Sequence, residues 1–405
     1  MDGEIKYGKK QRNREVRSVD GMKSMKRGEM PGYERLRSEV IDRKLCTFCG
    51  ACVSACLLRH LEWADEPLRR EKKAACEECS LCYDACYVPK LQEEEGLLEE
   101  EVLGRKRRME EEPLGNFSRI LAAKSKDERI LENAQDGGVV STILKHLFEQ
   151  KSIDGAIVAG MREGFWEPFP RVAKNFDDVI ASARTKFGIS PNLMLVRDAV
   201  LEEYLDSICI VGLPCHTRAL RHMQHTKFEL APAISLTIGL FCRENYEYLP
   251  LRNYVEGVLG EGSIAEVRKF SVTEDAMLVF SDKTLSIPIT EVKKWVPRHC
   301  LLCSDYTNEL ADISVGCDGS PDGFSTVIVR TERGKSVFAA IEAKGLVETK
   351  PADIAAIREI AERKRRKAVQ TKKIYDLRSA GLSAEEIATR LGIELETVLH
   401  RLEKY

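Results

Sequence analysis

Twelve of the fourteen cysteines in this 405-residue chain are spaced as ligands rather than as scattered thiols. The densest stretch reads Cys46-x2-Cys49-x2-Cys52-x3-Cys56 and, after a charged spacer, repeats as Cys76-x2-Cys79-x2-Cys82-x3-Cys86. Spacings this tight allow three thiolates from one loop to reach three irons of a single iron–sulfur cube. A zinc ribbon needs only two C-x2-C pairs and has no use for the third cysteine. Disulfides need an oxidising compartment, and nothing in the sequence points to export. The chemistry implied is therefore one-electron relay through cubane clusters.

This double run resembles that of bacterial-type ferredoxins with two 4Fe-4S clusters, in which the fourth cysteine of each run serves the other cluster. The resemblance pairs Cys46, Cys49 and Cys52 with Cys86, and Cys76, Cys79 and Cys82 with Cys56. The chain departs from the pattern in one respect. Leu57 rather than proline follows Cys56, and Pro89 comes late after Cys86.

A looser set of cysteines lies further on. Cys215 and Cys242 each stand at the end of an apolar run, Ser207–Val211 and Ile234–Phe241, and Cys300-x2-Cys303 follows. Runs of this kind read as buried strands, and open α/β sheets place their sites at the carboxyl ends of such strands. By spacing alone the four thiols suit a zinc site, a third cluster or neither, and Cys317 is a possible substitute for one of them. Cys209, in mid-strand, reads as an inert buried thiol.

The positioning elements follow from periodicity. Residues 1–40 are polar and basic without apolar rhythm, which predicts a mobile arm. Residues 41–90 form the ferredoxin-type domain, and 91–115 an acidic linker, helical or mobile, with no assigned chemistry. Residues 116–350 read as an α/β domain. Within it, Asp136-Gly137-Gly138 opens a helix whose free amides suit an anion, Asp154–Gly160 is a strand, and 264–289 contains a small β-meander. Residues 351–405 form a helical tail. Its Ser383/Glu386 capping box and Gly392 give a helix-turn-helix pattern. The last helix would offer Glu394 and Glu396 to phosphate, so packing or docking suits the tail better than DNA binding. The fold class is α+β or α/β: a ferredoxin-like module followed by an α/β domain with its small β-meander and a helical tail.

Composition narrows the function classes. The net charge of −2 argues for neither a nucleic-acid binder nor a binder of acidic ligands. No apolar run reaches membrane-spanning length, and the N-terminal residues lack a signal-peptide pattern. Cysteine-rich and without these signals, the chain is expected in a reducing cytoplasm, in an anaerobe.

The segment from Asp136 to about Thr331 resembles the beta subunit of coenzyme F420-reducing hydrogenases and dehydrogenases. The matching pieces are Ala134–Val140, Gly164–Pro168, Thr185-Lys186-Phe187 with Ser190-Pro191-Asn192, Pro214-Cys215, Phe241–Asn245, Cys300-x2-Cys303, and Glu309–Asp312 through Gly323–Thr326. The resemblance implies an FAD, a site for the deazaflavin coenzyme F420, and a third 4Fe-4S cluster on Cys215, Cys242, Cys300 and Cys303. It also implies FAD contacts from Asp136, Gly137, Gly138, Thr185, Lys186, Ser190 and Asn192. The Gly-Gly amides and Lys186 suit a pyrophosphate, and Arg184 with Lys186 suits an acidic deazaflavin tail. Reduced deazaflavin gives up a hydride whereas the clusters accept single electrons, so a flavin must stand between them. The partner would be a redox subunit of hydrogenase, formate dehydrogenase, heterodisulfide reductase or membrane-dehydrogenase type. Rival readings are a ferredoxin-linked flavoprotein reductase of another substrate and a redox-sensing DNA-binding regulator.

Overall fold

The computed structural model describes residues 30–63, 69–70, 76–162, 165–272 and 275–405. Most of the expected basic arm, residues 1–29, and the matched Gly164 lie outside these.

The central element is an eight-stranded mixed sheet. Its strands, with the three of a smaller sheet, are β1 (Arg119–Ser125), β2 (Gly155–Arg162), β3 (Glu167–Ala173), β4 (Ile208–Gly212), β5 (Ile234–Leu240), β6 (Lys269–Val272), β7 (Ala276–Val279), β8 (Thr284–Ile287), β9 (Ile313–Gly316), β10 (Ser325–Val329) and β11 (Val347–Lys350). The large sheet runs β11-β1-β10-β9-β5-β4-β2-β3, and β8-β7-β6 form the separate antiparallel meander. Strands β2, β4, β5 and β9 are mutually parallel. β1 runs the same way, since β10 lies antiparallel to both β9 and β1. Five strands thus bring the loops after them to one edge. β4 is buried along its whole length, as an apolar run covered on both faces should be.

Two apolar layers enclose the sheet. One joins Leu121, Ile143, Leu144, Ile238 and Val327 with the helix Val139–Glu149. The other joins Ile208, Ile210, Leu193, Leu220 and Met223 with the helix Pro214–His225, and also takes in Ala51, Ala55 and Tyr87 from the cysteine-rich region. The N-terminal region is therefore docked on the sheet domain through a shared core.

The expectation of a mobile arm through residue 40 is corrected for residues 30–40. Gly32–Leu36 is helical and continues as a π-type turn to Ile41. Leu36 and Val40, four apart on one face, are buried with Cys82, Tyr83 and Leu61. The Arg35 guanidinium lies 3.9 Å from the Tyr83 ring centroid, and the Gly32 amide donates to Cys79 O at 3.1 Å. Two apolar residues are too few to show a rhythm, yet enough to cover a small metal-site fold.

The acidic linker is a helix, Leu91–Leu103, followed by a docked basic turn. The Arg107 guanidinium bonds Glu99 at 2.9 Å and Glu309 at 2.6 Å. Glu94 meets His222 at 2.6 Å. The tail comprises Ile354–Ser379, Ala384–Leu391 and Leu395–Leu402, with the Ser383 capping box and Gly392 in the left-handed region at φ 63°. Its inner face packs Ile374, Ile387 and Val398 around Leu302, which lies between the cysteines of the C-x2-C. No helix among the described residues is long and apolar enough to cross a membrane.

Candidate functional site

The cysteines of the N-terminal region fall into two groups. Cys52 lies within electrostatic reach of Cys46, Cys49 and Cys86 and also of Cys82, and Cys86 in turn within reach of Cys49, Cys46 and Cys82. Cys82 senses Cys79, Cys56 and Cys76, and Cys79 senses Cys56. Cys86 and Cys56 thus stand among thiols of the opposite run, and Cys82 links the two neighbourhoods. The loops that carry them turn tightly. Gly50, at φ 87°, starts the helix Ala51–Ala55, and Ser80 precedes the helix Leu81–Asp84.

Burial dominates the acid–base character of these thiols. It pushes Cys46 and Cys82 up to about 12 and raises Cys49, Cys52 and Cys86 as well. A thiol buried in this way stays protonated until a metal centre displaces the proton. All the cysteines are free thiols. Among the described residues no three His, Cys, Asp or Glu side chains form a group suited to a single metal ion.

The third set stands at the carboxyl edge of the sheet. Cys215 opens the helix after β4, Cys242 follows β5, and Cys300 and Cys303 lie in and just after the short helix Arg298–Leu302. Cys215 senses Cys242, Cys300, Cys49 and Cys303. Burial pushes Cys242 up to about 11 and raises Cys215 and Cys300. Cys317 falls elsewhere. It is exposed, and its charged neighbours are Asp318, Asp136 and Arg243 rather than the four thiols.

Two buried groups beside the third set point to an anionic occupant. His299 Nδ1 has no hydrogen-bond partner. Among the described residues the Lys364 ammonium bonds carbonyl oxygens alone, those of Cys242 at 2.6 Å and Asp305 at 2.7 Å. Four thiols, an unpartnered ring nitrogen and a buried cation make a donor set that fits an iron–sulfur cluster.

The first and third sets meet across a narrow seam. Cys49 accepts the Leu193 amide at its backbone carbonyl, 3.0 Å away. Tyr87, buried, senses both Cys215 and Cys49. The Phe48 ring lies 5.6 Å from His299, the neighbour of Cys300. A side chain at Gly50 would meet Met194 N at 2.5 Å and Pro191 O at 2.6 Å. Only glycine permits the two backbones to come this close.

The residues expected at a flavin divide into two places. Asp136, Gly137 and Gly138 lie at the sheet's carboxyl edge after β1. The Gly137 amide donates to Ser325 Oγ at 3.1 Å, and a Cβ there would collide with the Ala123 carbonyl and stand 2.6 Å from Ser325 N. Gly138, at φ 69°, begins the helix Val139–Glu149, whose first turn has no side-chain cap. Such uncapped amides fit a phosphate. Burial raises the Asp136 carboxyl, partly offset by Lys269. The Thr185 amide approaches Gln135 Oε1 at 3.5 Å, so this segment borders the same loop.

Ser190 and Asn192 are not at that loop. Ser190 Oγ donates to Asn192 Oδ1 at 2.6 Å, the Asn192 amide donates to Val211 O at 2.9 Å, and His216 Nε2 meets Ser190 O at 2.9 Å. Both residues form the wall beside Cys215. Nor does Lys186 face the glycines. Its ammonium is spent on the carbonyls of Ser182 and Ala183, each at 2.7 Å, and burial lowers it to about 7. Arg184 likewise bonds Arg268 O and Glu132 O, each at 3.2 Å.

Sequence reading missed Lys364, Tyr87 and the Gly50 seam. Lys364 sits in Arg363-Lys364-Arg365-Arg366-Lys367, which reads as a solvated basic face. Yet Ile357, Ala361, Lys364, Ala368 and Thr371 share the buried stripe of that helix, and the spacing marks Lys364 as an interior residue.

Comparison with known proteins places the chain in a family. Residues 120–197 match the N-terminal family of the coenzyme F420 hydrogenase/dehydrogenase beta subunit, and residues 205–369 match the C-terminal one. The beta subunit of the coenzyme F420 hydrogenase of Methanothermobacter thermautotrophicus is 36% identical over 59% of this chain and 86% of its own. One component of the F(420)H(2) dehydrogenase of Methanosarcina mazei is 32% identical over 74% of this chain and 83% of its own. A chain in the solved structure of the F420-reducing [NiFe] hydrogenase complex from Methanosarcina barkeri superposes with a TM-score of 0.61 at 32% identity, covering 65% of this chain and 92% of that one. The chain belongs to the family of coenzyme F420 hydrogenase/dehydrogenase beta subunits and is an F420-dependent oxidoreductase component of that type.

Proposed function

We propose that this chain converts between hydride and single-electron transfer, linking coenzyme F420 to a partner redox subunit through FAD and three 4Fe-4S clusters. The proposed ligands are Cys46, Cys49, Cys52 and Cys86 for the first cluster, Cys76, Cys79, Cys82 and Cys56 for the second, and Cys215, Cys242, Cys300 and Cys303 for the third. Cys317 is left out. The FAD phosphates are assigned to the Gly137-Gly138 loop and the first turn of the helix after it, with Asp136 and Thr185 alongside. Ser190, Asn192 and Lys186 act by shaping the wall and the 182–186 turn. Bound FAD can accept a hydride and release electrons singly, which neither thiols nor clusters can do.

The protein's own part is positional. The carboxyl edge of the sheet sets the Gly137-Gly138 loop and the third thiol set on neighbouring loops. The Gly50 seam carries the route from that set to Cys49, and Cys86 and Cys56 interlock the two N-terminal groups. The observation that carries the reading is the seam between the two thiol regions, where the Leu193 amide bonds Cys49 O at 3.0 Å and the Phe48 ring lies 5.6 Å from that of His299, the neighbour of Cys300. Electrons would then leave, or enter, at the second group, and the partner docks there.

Anaerobic cofactor analysis tests this reading. Three cubane sites predict about twelve irons per chain, with one FAD. About eight irons without flavin would reduce the chain to a two-cluster ferredoxin and overturn it.

A further inference from the structure

We infer that Lys364 is the internal counter-charge of the third cluster, placed to make that cluster easier to reduce. The inference rests on the proposal that Cys215, Cys242, Cys300 and Cys303 hold a 4Fe-4S centre. Lys364 is buried at 8% exposure, and its ammonium donates to the backbone oxygens of Cys242 and Asp305 at 2.6 and 2.7 Å. No carboxylate salt bridge to it occurs among the described residues, although its near neighbours Lys367 and Arg365 each have one, to Glu244 and Glu112.

A buried ammonium without an anionic partner is costly and is retained where an opposite charge stands close by. Burial opposes the charge here. Asp305 is already engaged, accepting the amides of Asn308 at 2.8 Å and Glu309 at 3.2 Å. The anion within reach would be the third cluster: Lys364 bonds the carbonyl of Cys242 itself, and its helix packs against the short helix Arg298–Leu302 that carries Cys300. One-electron reduction adds a negative charge to a thiolate-ligated cluster, and a fixed cation in a dry site favours that state.

The placement is specific to the helix Ile354–Ser379. Lys364 occupies a position on the inward stripe between Ala361 and Ala368, where an apolar residue would pack at less cost. A surface lysine one residue away would be screened by water and would tune nothing.

The test is an EPR-monitored potentiometric titration of the whole reconstituted protein, with iron counted, for wild type, K364M and K364R. In K364M the ratio of reduced to oxidised third cluster at fixed ambient potential should fall at least tenfold, about 59 mV for a one-electron couple. K364R, which keeps the charge, should stay much closer to wild type. An unshifted K364M with about twelve irons overturns the inference. So does a K364R shift as large as that of K364M, since shape rather than charge would then matter. If K364M loses the third cluster, twelve irons in K364R support the role of charge, and their loss there too overturns it. A wild-type count near eight irons is a different failure: it removes the third cluster, and this inference falls with it.

Discussion

Replacing Gly50 with alanine tests the seam between the N-terminal thiols and the sheet domain. Gly50 holds φ 87°, a left-handed conformation that costs an L-residue about 1–2 kcal/mol. The added Cβ would also lie 2.5 Å from Met194 N and 2.6 Å from Pro191 O, both backbone atoms that cannot swing aside. Overpacking of this kind costs about 1–3 kcal/mol more. The expected total of about 2–5 kcal/mol is enough to part the two backbones and to break the bond from the Leu193 amide to Cys49 O. Stopped-flow measurement separates the consequences. Flavin bleaching by reduced coenzyme F420 should keep its wild-type rate, because the Gly137-Gly138 loop is untouched. Reduction of a viologen at the far end of the relay should slow, with iron content unchanged. A variant that loses this stability yet reduces the viologen at the wild-type rate would refute the claim that electrons cross this seam.

Gly137→Ala should cost the protein its flavin while sparing its iron, because the new methyl group collides with the Ala123 carbonyl and with Ser325 N; absorbance and iron analysis of the purified variant read both. Arg107→Ala should destabilise the protein by about 3–5 kcal/mol, since it strands Glu309 and Glu99 within the core; denaturant midpoints measure the loss. The Lys145 ammonium at 2.6 Å holds Asp127 below its ordinary value of 3.8. A depressed carboxyl stabilises above its unfolded value and loses that contribution as pH falls through its folded one. The stability gap between wild type and Asp127→Asn should therefore be full at neutral pH and close below about pH 4.

Much of the sheet domain was legible because its strands are buried on both faces and read as plain apolar runs. Ser207–Val211 and Ile234–Phe241 became β4 and β5, and the meander, the Gly138 helix and the Ser383 tail fell where their patterns put them. The cysteine spacing was legible for a different reason, since ligand geometry leaves few alternatives. Side-chain direction was not legible. Lys186 is a cation in a matched motif and Arg184 stands just before it, yet both are consumed by backbone carbonyls. Ser190 and Asn192 bond each other and Val211 rather than the glycine loop. Docking of the linker was hidden for a similar reason. Arg107 sits in a charged run that looks solvated, and only the fold shows that Glu309 waits beneath it.

The central claim is conversion of a hydride into single electrons within this one chain. The direct measurement is anaerobic viologen reduction by the fully reconstituted protein with reduced coenzyme F420 as sole donor. The account predicts turnover, with two viologens reduced for each deazaflavin oxidised, as the conversion of one hydride into single electrons requires. A protein carrying its full iron and FAD that leaves the viologen oxidised would contradict it.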